Sequence, residues 1–375
     1  MSLSRRSFLR RSAAVAATAP LYQHLSVDFC DAAADEPVDF SGGFAPNAVR
    51  LNRNENPFGP SPLALQAIQR GLRESHRYVG SEPLVKRLAA MYGVEEDAIL
   101  LGNGSTELLK LIAIAYLKDG GNMVSTVETF RVTPVYAEKL GAQVRWVPHR
   151  WDWSYDTDAL LAAVNSETKV FYLVNPNNPT GAWLDYDGLV AIADALPKDV
   201  IFFIDEAYWE FLPGDRPTGL DLVKSGHRNV VVTRTFSKVH GLAGLRVGYG
   251  IAHPDAIKTL RNFAVAGMNL AGYGGALASL DDDEHIDKFV KLNQTGRDFY
   301  RKELSALGIP YVSGVSPYIL ADVGDAEKVL KDMEAEGVFL RPGSTWQMPR
   351  YVRISYGLEE ENQAAIRALK KVTKG

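Results

Sequence analysis

Val230-Val231-Val232-Thr233 leads into Thr235-Phe236-Ser237-Lys238-Val239-His240-Gly241-Leu242-Ala243-Gly244-Leu245-Arg246, and Val247-Gly248-Tyr249-Gly250 follows. An apolar run, two hydroxyl residues, one lysine, a small-residue turn and an arginine eight positions on describe a site built between two strands. A lone lysine after a strand is usually a solvated loop residue. Its significance depends on the rest of the chain.

Working outward, short apolar runs rich in β-branched or aromatic residues occur at 98–101, 122–127, 143–147, 169–174, 200–204, 230–233 and 247–251. Helical patterns separate most of them, at 107–117, 133–140, 158–164 and 186–196. Strands alternating with helices imply parallel pairing in a doubly wound, mostly parallel α/β sheet covered on both faces. Ligands of such sheets bind where the loops gather at the carboxyl ends of the strands.

Before this region, residues 35–62 are rich in Asn, Pro and Gly and predict an extended arm with turns rather than a packed element. Helices are expected from Ser61-Pro62 to Glu74 and from Glu82 to Tyr92, with Tyr78 in the break between them. After about Pro254 the pattern changes. A helix to Phe263, a Gly- and Asn-containing stretch 267–275 and a long helix 282–307 precede strands at 318–323 and 352–356, with helices at 326–336 and 360–372. This predicts a smaller α+β domain. The expected organisation is a leader over 1–34, an arm over 35–60, a large domain over 61–258 and a small domain over 259–375.

Five polar clusters fall in the strand-end loops, and each has a chemical task if Lys238 holds an aldehyde cofactor. Gly102-Asn103-Gly104-Ser105-Thr106-Glu107 joins a strand to a helix, whose free N–H groups favour an anion such as a phosphate. Asn175-Pro176-Asn177-Asn178-Pro179-Thr180-Gly181 makes a rigid turn able to aim one amide. Asp205 ends the wholly apolar run Val200-Ile201-Phe202-Phe203-Ile204, where a carboxylate is costly without a cation or a donor. Phe130, in Glu128-Thr129-Phe130, is placed to stack on a flat ring. Beside Lys238, Arg246 is a phosphate partner and Thr235 and Ser237 are hydroxyl donors.

Composition bounds the alternatives. The 375 residues are 46% hydrophobic and 23% charged, with a net charge of −4. That is ordinary for a soluble globular protein and argues against a nucleic-acid surface, which needs clustered Lys and Arg. No run reaches the roughly 18 apolar residues of a spanning helix, so no stable membrane insertion is expected. The seven histidines are scattered, which argues against a His-based metal site.

At the N-terminus, Ser4-Arg5-Arg6-Ser7-Phe8-Leu9-Arg10-Arg11 precedes an alanine-rich apolar run and resembles a twin-arginine export signal, with Ala32-Ala33-Ala34 as a cleavage site. Loss of residues 1–34 would remove four arginines and two aspartates, taking the charge from −4 to −6, and with them the only cysteine, Cys30. A cysteine-free mature chain suits an oxidising compartment, so a periplasmic or exported location is expected. The alternative is a basic N-terminal tail on a cytoplasmic protein.

The ordered set Asn178, Asp205-x-x-Tyr208 and Lys238-x7-Arg246, over about residues 45–372, resembles the fold type I pyridoxal-phosphate enzymes of the class I/II aminotransferase family. Leu51-Asn52-Arg53-Asn54-Glu55-Asn56-Pro57 and the Gly-Asn-Gly-Ser segment resemble the histidinol-phosphate aminotransferases within it. The resemblance implies that Lys238 forms the Schiff base with pyridoxal 5'-phosphate, and that Asp205 contacts the ring nitrogen. Tyr208 and Asn178 would contact the ring hydroxyl oxygen, and Phe130 would stack on the ring. Gly104, Ser105, Thr106, Thr235, Ser237 and Arg246 would surround the phosphate, and Arg353 would bind the substrate's anionic group. Asn54, in the arm, joins it on the substrate side. Tyr78 would reach the phosphate of a neighbouring subunit, which implies a homodimer.

Arg341, twelve positions before Arg353, is either a second cation of that pocket or a surface strand arginine. Two cations would suit histidinol phosphate or a carboxylate with a second acceptor, whereas an export signal points to an aromatic or basic amino acid. The expected partners are a small amino donor and a 2-oxo acid acceptor. A decarboxylase resembling threonine-phosphate decarboxylase, a carbon–sulfur lyase and a non-catalytic cofactor-binding protein remain as alternatives on the same scaffold.

Overall fold

The computed structural model describes residues 42–214, 218–265 and 267–374. The expected export signal, residues 1–34, lies outside them. The described part of the first unit, 42–48, holds a turn closed by Ala48 N–H donating to the Ala45 carbonyl at 2.9 Å. From Val49 onward the chain forms one compact unit carrying three sheets.

The strands are β1 (Val49–Arg50), β2 (Ile99–Gly102), β3 (Asn122–Thr126), β4 (Gln143–Val147), β5 (Thr168–Val174), β6 (Ile201–Asp205), β7 (Val230–Thr235), β8 (Gly248–Ala252), β9 (Tyr311–Val312), β10 (Tyr318–Asp322), β11 (Val338–Phe339), β12 (Arg341–Pro342) and β13 (Tyr351–Ser355). Seven of them form the large sheet in the order β2-β8-β7-β6-β5-β3-β4. Its central strands are buried on both faces: every residue from Val170 to Val174 and from Phe202 to Ile204 is at most 1% exposed. Such strands read as continuous apolar runs because helices cover the sheet on each side.

The sheet is mostly parallel, as expected, and β8, which runs antiparallel to both β7 and β2, is the exception. The connection from β7 to β8 is the Lys238 loop, too short for a helical crossover, and it turns the chain back on itself. The strand order reverses between β3 and β5, and the loops after these strands carry Phe130 and Asn178. A doubly wound sheet opens its ligand crevice at such a reversal.

The second sheet, β12-β13-β10-β9, is antiparallel, and Leu320, Val352, Ile354 and Tyr356 beside it are buried. The arm is a packed element after all. β1 pairs in parallel with β11, Leu51 is 2% exposed within the second core, and Ser355 N–H donates to the Leu51 carbonyl at 2.9 Å. A two-residue strand has too few positions to show a period.

The stretch 267–275, read as irregular, contains the start of a helix, Leu270–Ser279. Its glycines serve contact with the helix Pro62–Arg73 rather than turning. A Cβ on Gly71 would lie 2.8 Å from the Leu270 carbonyl oxygen, and one on Gly275 2.8 Å from Ile68.

The arm is also pressed against the Lys238 loop. Gly241 has φ +70°, and a Cβ there would lie 2.1 Å from the Gly59 carbonyl oxygen. Both constraints require glycine at this position. Gly241→Ala is therefore expected to lower Tm by about 3–8 °C, corresponding to roughly 1–3 kcal/mol, in a thermal melt. An unchanged Tm would show that the arm yields freely.

Candidate active site

A cavity of about 460 Å³ opens at the carboxyl ends of β5, β6 and β7, closed from the other side by the arm and by β12 and β13. The alternation of side chains across a strand explains who faces it. Asp205 and Thr233 are register partners on one face, and Thr235, two residues on, shares that face. The structure gathers Ser105, Thr106, Phe130, Asn178, Asp205, Tyr208, Thr235, Ser237, Lys238, Arg246, Arg341, Arg353 and Asn54 around this one cavity.

At one end lies an anion cradle. The helix Ser105–Leu117 begins there, and the Arg246 Nη2 sits 3.4 Å from Thr106 Oγ1. Gly104 has φ +76°, and a Cβ on it would fall 2.2 Å from Arg246 Nη2. A Cβ on Gly248 would lie 2.3 Å from the Ser105 backbone nitrogen. Glycine at both positions lets the helix start, the arginine and β8 close together. Thr235 Oγ1 accepts from Ser237 N–H at 3.1 Å and completes the wall.

Asp205 occupies the middle. It is 2% exposed, and its Oδ1 accepts from Ala207 N–H at 3.2 Å. No described cation forms an ion pair with it. Burial pushes its carboxyl up to about 7; the Ala207 hydrogen bond opposes this, and the neighbouring Glu206 adds to it. Lys238 is half-buried, its Nζ donating to the Arg53 carbonyl at 3.0 Å. Burial and then the positive field of Arg353 pull its amine down to about 8.

Beyond Lys238, Asn54 Nδ2 donates to the Tyr208 hydroxyl at 2.9 Å, and Asn54 also holds Ser355. Arg353, 5% exposed, donates from Nη1 to Asn178 Oδ1 at 2.7 Å and from Nη2 to the Asn52 carbonyl at 2.9 Å. Its guanidinium lies 4.9 Å from the Trp346 ring and 5.2 Å from that of Tyr318. Its Nε is buried without a partner. Arg341 is the cross-strand neighbour of Arg353, half-buried on the cavity wall, and it makes no ion pair among the described residues.

Tyr78 is the exception to this gathering, fully exposed and outside the cavity of its own chain. Sequence reasoning missed Trp346, Glu55 and the carbonyls of Asn52 and Arg53, and it read no role into Arg234. Only the last carried a signal, a charge inside an apolar strand. Among the described residues no group of His, Cys, Asp or Glu could hold a metal ion, and no helix is long and apolar enough to cross a membrane.

Pyridoxal phosphate fits these residues. The buried Asp205 carboxyl lacks the cation that a protonated pyridine nitrogen provides, and the glycine-lined cradle has the donors of a phosphate site. Fold and site together define a pyridoxal-phosphate-dependent transferase of fold type I. Residues 46–369 match the family model described as aminotransferase class I and II, and the chain belongs to that family. It is 40% identical over 332 residues to histidinol-phosphate aminotransferase 2 of Pseudomonas aeruginosa, covering 86% of this chain and 89% of that protein. Over 330 residues it is 38% identical to histidinol-phosphate aminotransferase 1 of Nitrosococcus oceani, covering 87% and 89%. The crystal structure of histidinol-phosphate aminotransferase from Sinorhizobium meliloti in complex with pyridoxal-5'-phosphate superposes with a TM-score of 0.82 at 29% identity, covering 87% of this chain and 91% of that one. The protein is a transaminase.

The burial of Asp205 yields a signed prediction. Its folded pKa of about 7 lies above its unfolded value of 3.8, so the stability of the protonated carboxyl is fully present below about pH 3.8 and is lost progressively as pH rises to about 7. Asp205→Asn, which copies the neutral form, should leave the apoprotein's Tm nearly unchanged near about pH 4, raise it part of the way near about pH 5 and raise it by about 2–6 °C near about pH 8. A lower Tm for the variant at the alkaline pH would contradict the assignment.

Proposed function

We propose that the enzyme moves the amino group of an amino-alcohol phosphate of the histidinol-phosphate type to a 2-oxo acid, both presenting an anion to Arg353. The observation that carries this reading is the pairing of Arg341 with Arg353 across β12 and β13, two cations on one wall. A phosphate monoester is nearly a dianion at neutral pH and matches two guanidinium groups better than one carboxylate does. The names of the relatives support the same donor.

When bound, pyridoxal phosphate supplies an aldehyde that condenses with amines and a ring that takes up the electrons left on the substrate's α-carbon. The chain's residues divide the remaining work. Asp205 would accept a hydrogen bond from the protonated ring nitrogen and so hold the proton on that nitrogen. Phe130 packs on the ring, and Asn178 and Tyr208 meet its hydroxyl oxygen. Gly104, Ser105, Thr106, Thr235, Ser237 and Arg246 hold the phosphate. The Lys238 amine, lowered to about 8 and so partly neutral near neutral pH, carries a proton to and from the α-carbon. Arg353, fixed by Asn178, Asn52 and two flanking rings, orients the bond that breaks.

Two further proposals rest on other features. The exposed Tyr78 and Val79, with Leu63, Leu65 and Leu72 exposed on the preceding helix Pro62–Arg73, fit a homodimer in which that tyrosine reaches the neighbour's phosphate site. The twin-arginine pattern supports export, and an exported enzyme favours an aromatic or basic amino acid as donor.

Mixing the holoenzyme with histidinol phosphate should convert bound cofactor from its aldehyde to its amine form, read by absorbance, at least about tenfold faster than any free amino acid at equal concentration, a difference of roughly 1.4 kcal/mol. Conversion by an aromatic or basic amino acid alone would transfer the assignment to that class. Sedimentation as a monomer would remove the dimer, and an intact Met1 on the cellular protein would remove processing of the signal.

A further inference from the structure

The most deeply buried ion pair among the described residues lies outside the lining of the cavity. Glu206 and Arg234 have side chains 1% exposed. Glu206 Oε2 accepts from Arg234 Nε at 2.9 Å and from Nη2 at 2.8 Å. The same Nη2 donates to Thr218 Oγ1 at 2.8 Å, and Glu206 Oε1 accepts from Gly219 N–H at 2.6 Å. The guanidinium is flanked by the rings of Trp209, at 3.9 Å, and Tyr92, at 4.9 Å.

A buried ion pair of this kind adds little net stability, because withdrawing two charges from water costs several kcal/mol per ion, and well-packed apolar residues often do as well. What it does supply is geometry: a two-point fork fixes the separation and orientation of the groups it joins. Here the joined groups are strand ends. Glu206 directly follows Asp205 at the end of β6, and Arg234 directly precedes Thr235 at the end of β7. Asp205 pairs with Thr233 in the parallel register, and Glu206 N–H donates to the Thr233 carbonyl at 2.8 Å. The ion pair therefore lies on the far face of the sheet, one residue from Asp205 on one strand and from Thr235 on the next.

We propose that the Glu206–Arg234 pair is a positioning clamp that sets the spacing between the ring-nitrogen subsite at Asp205 and the phosphate subsite beginning at Thr235, so that one rigid cofactor can occupy both at once. Each subsite has its own donors and acceptors and keeps its own affinity without the clamp. Only a ligand that spans the two feels their relative position. This inference rests on the site reading given above.

The test uses apoprotein and three probes: pyridoxal phosphate, pyridoxal and inorganic phosphate, each titrated against intrinsic tryptophan fluorescence. Arg234→Lys keeps the charge and loses the fork. Glu206→Met with Arg234→Met removes both charges, leaves no buried ion unpaired and guards against a single variant that fails to fold. In both variants the two fragments should bind within about twofold of wild type, while pyridoxal phosphate should bind at least about tenfold more weakly, a loss of about 1.4 kcal/mol. The double variant should also melt within a few degrees of wild type, which a merely structural pair would accompany with full cofactor affinity. Unchanged affinity for pyridoxal phosphate in either folded variant, or a parallel loss for all three probes, would overturn the clamp. Failure of the wild-type apoprotein to take up pyridoxal phosphate would instead overturn the site reading.

Discussion

Asp205 sits at the end of β6, 2% exposed, accepting one backbone hydrogen bond and forming no ion pair among the described residues. A carboxyl group in that position is unfavourable as an ion, which is why burial carries it up to about 7. The rest of the site can be understood as the means of holding such a group at a fixed place until a cationic ring nitrogen meets it. β5 and β7 flank it, Asn175 N–H donates to its backbone carbonyl at 2.9 Å, and the neighbouring Glu206 is tied to Arg234. In the proposed mechanism the stability surrendered at Asp205 would be recovered on cofactor binding, so binding and function would draw on the same interaction.

The two sheets divide the chemistry. The large sheet presents the groups for the cofactor along the ends of adjacent strands, where register fixes their spacing to within a residue. The small sheet and the arm bring the substrate side, and they do so through Arg353 and its contacts with Asn178 and Asn52. Asn178 accepts from Arg353, so in the proposed mechanism a single amide would connect the substrate's anchor to the cofactor's ring. The Lys238 amine lies in the field of both Arg353 and Asp205, with burial as the larger influence on it.

Much of this is legible in the sequence. The strands of the large sheet announce themselves as short apolar runs, and the polar clusters that break them are the cavity wall. The antiparallel direction of β8 was not legible, because a strand buried on both faces has the same composition whichever way it runs. Nor was the helix Leu270–Ser279, whose glycines resemble a loop until the helix Pro62–Arg73 is laid against them. β1, β9, β11 and β12 have two residues each, too few for any periodicity. Contacts made by backbone atoms, such as the carbonyls of Asn52 and Arg53, carry no residue-type signature. Trp346 enters the cavity through a turn with Gln347 at φ +63°, a placement that only tertiary packing decides.

The central claim is that the buried Asp205 carboxylate keeps a proton on the ring nitrogen of the cofactor. Nitrogen NMR of the holoenzyme loaded with pyridoxal phosphate labelled at that nitrogen tests it directly, at about pH 8, where the free cofactor's imines with amines are largely unprotonated on the ring. A protonated ring nitrogen in the wild type, lost in Asp205→Asn, is the predicted result. An unprotonated ring nitrogen in the wild type would contradict the account.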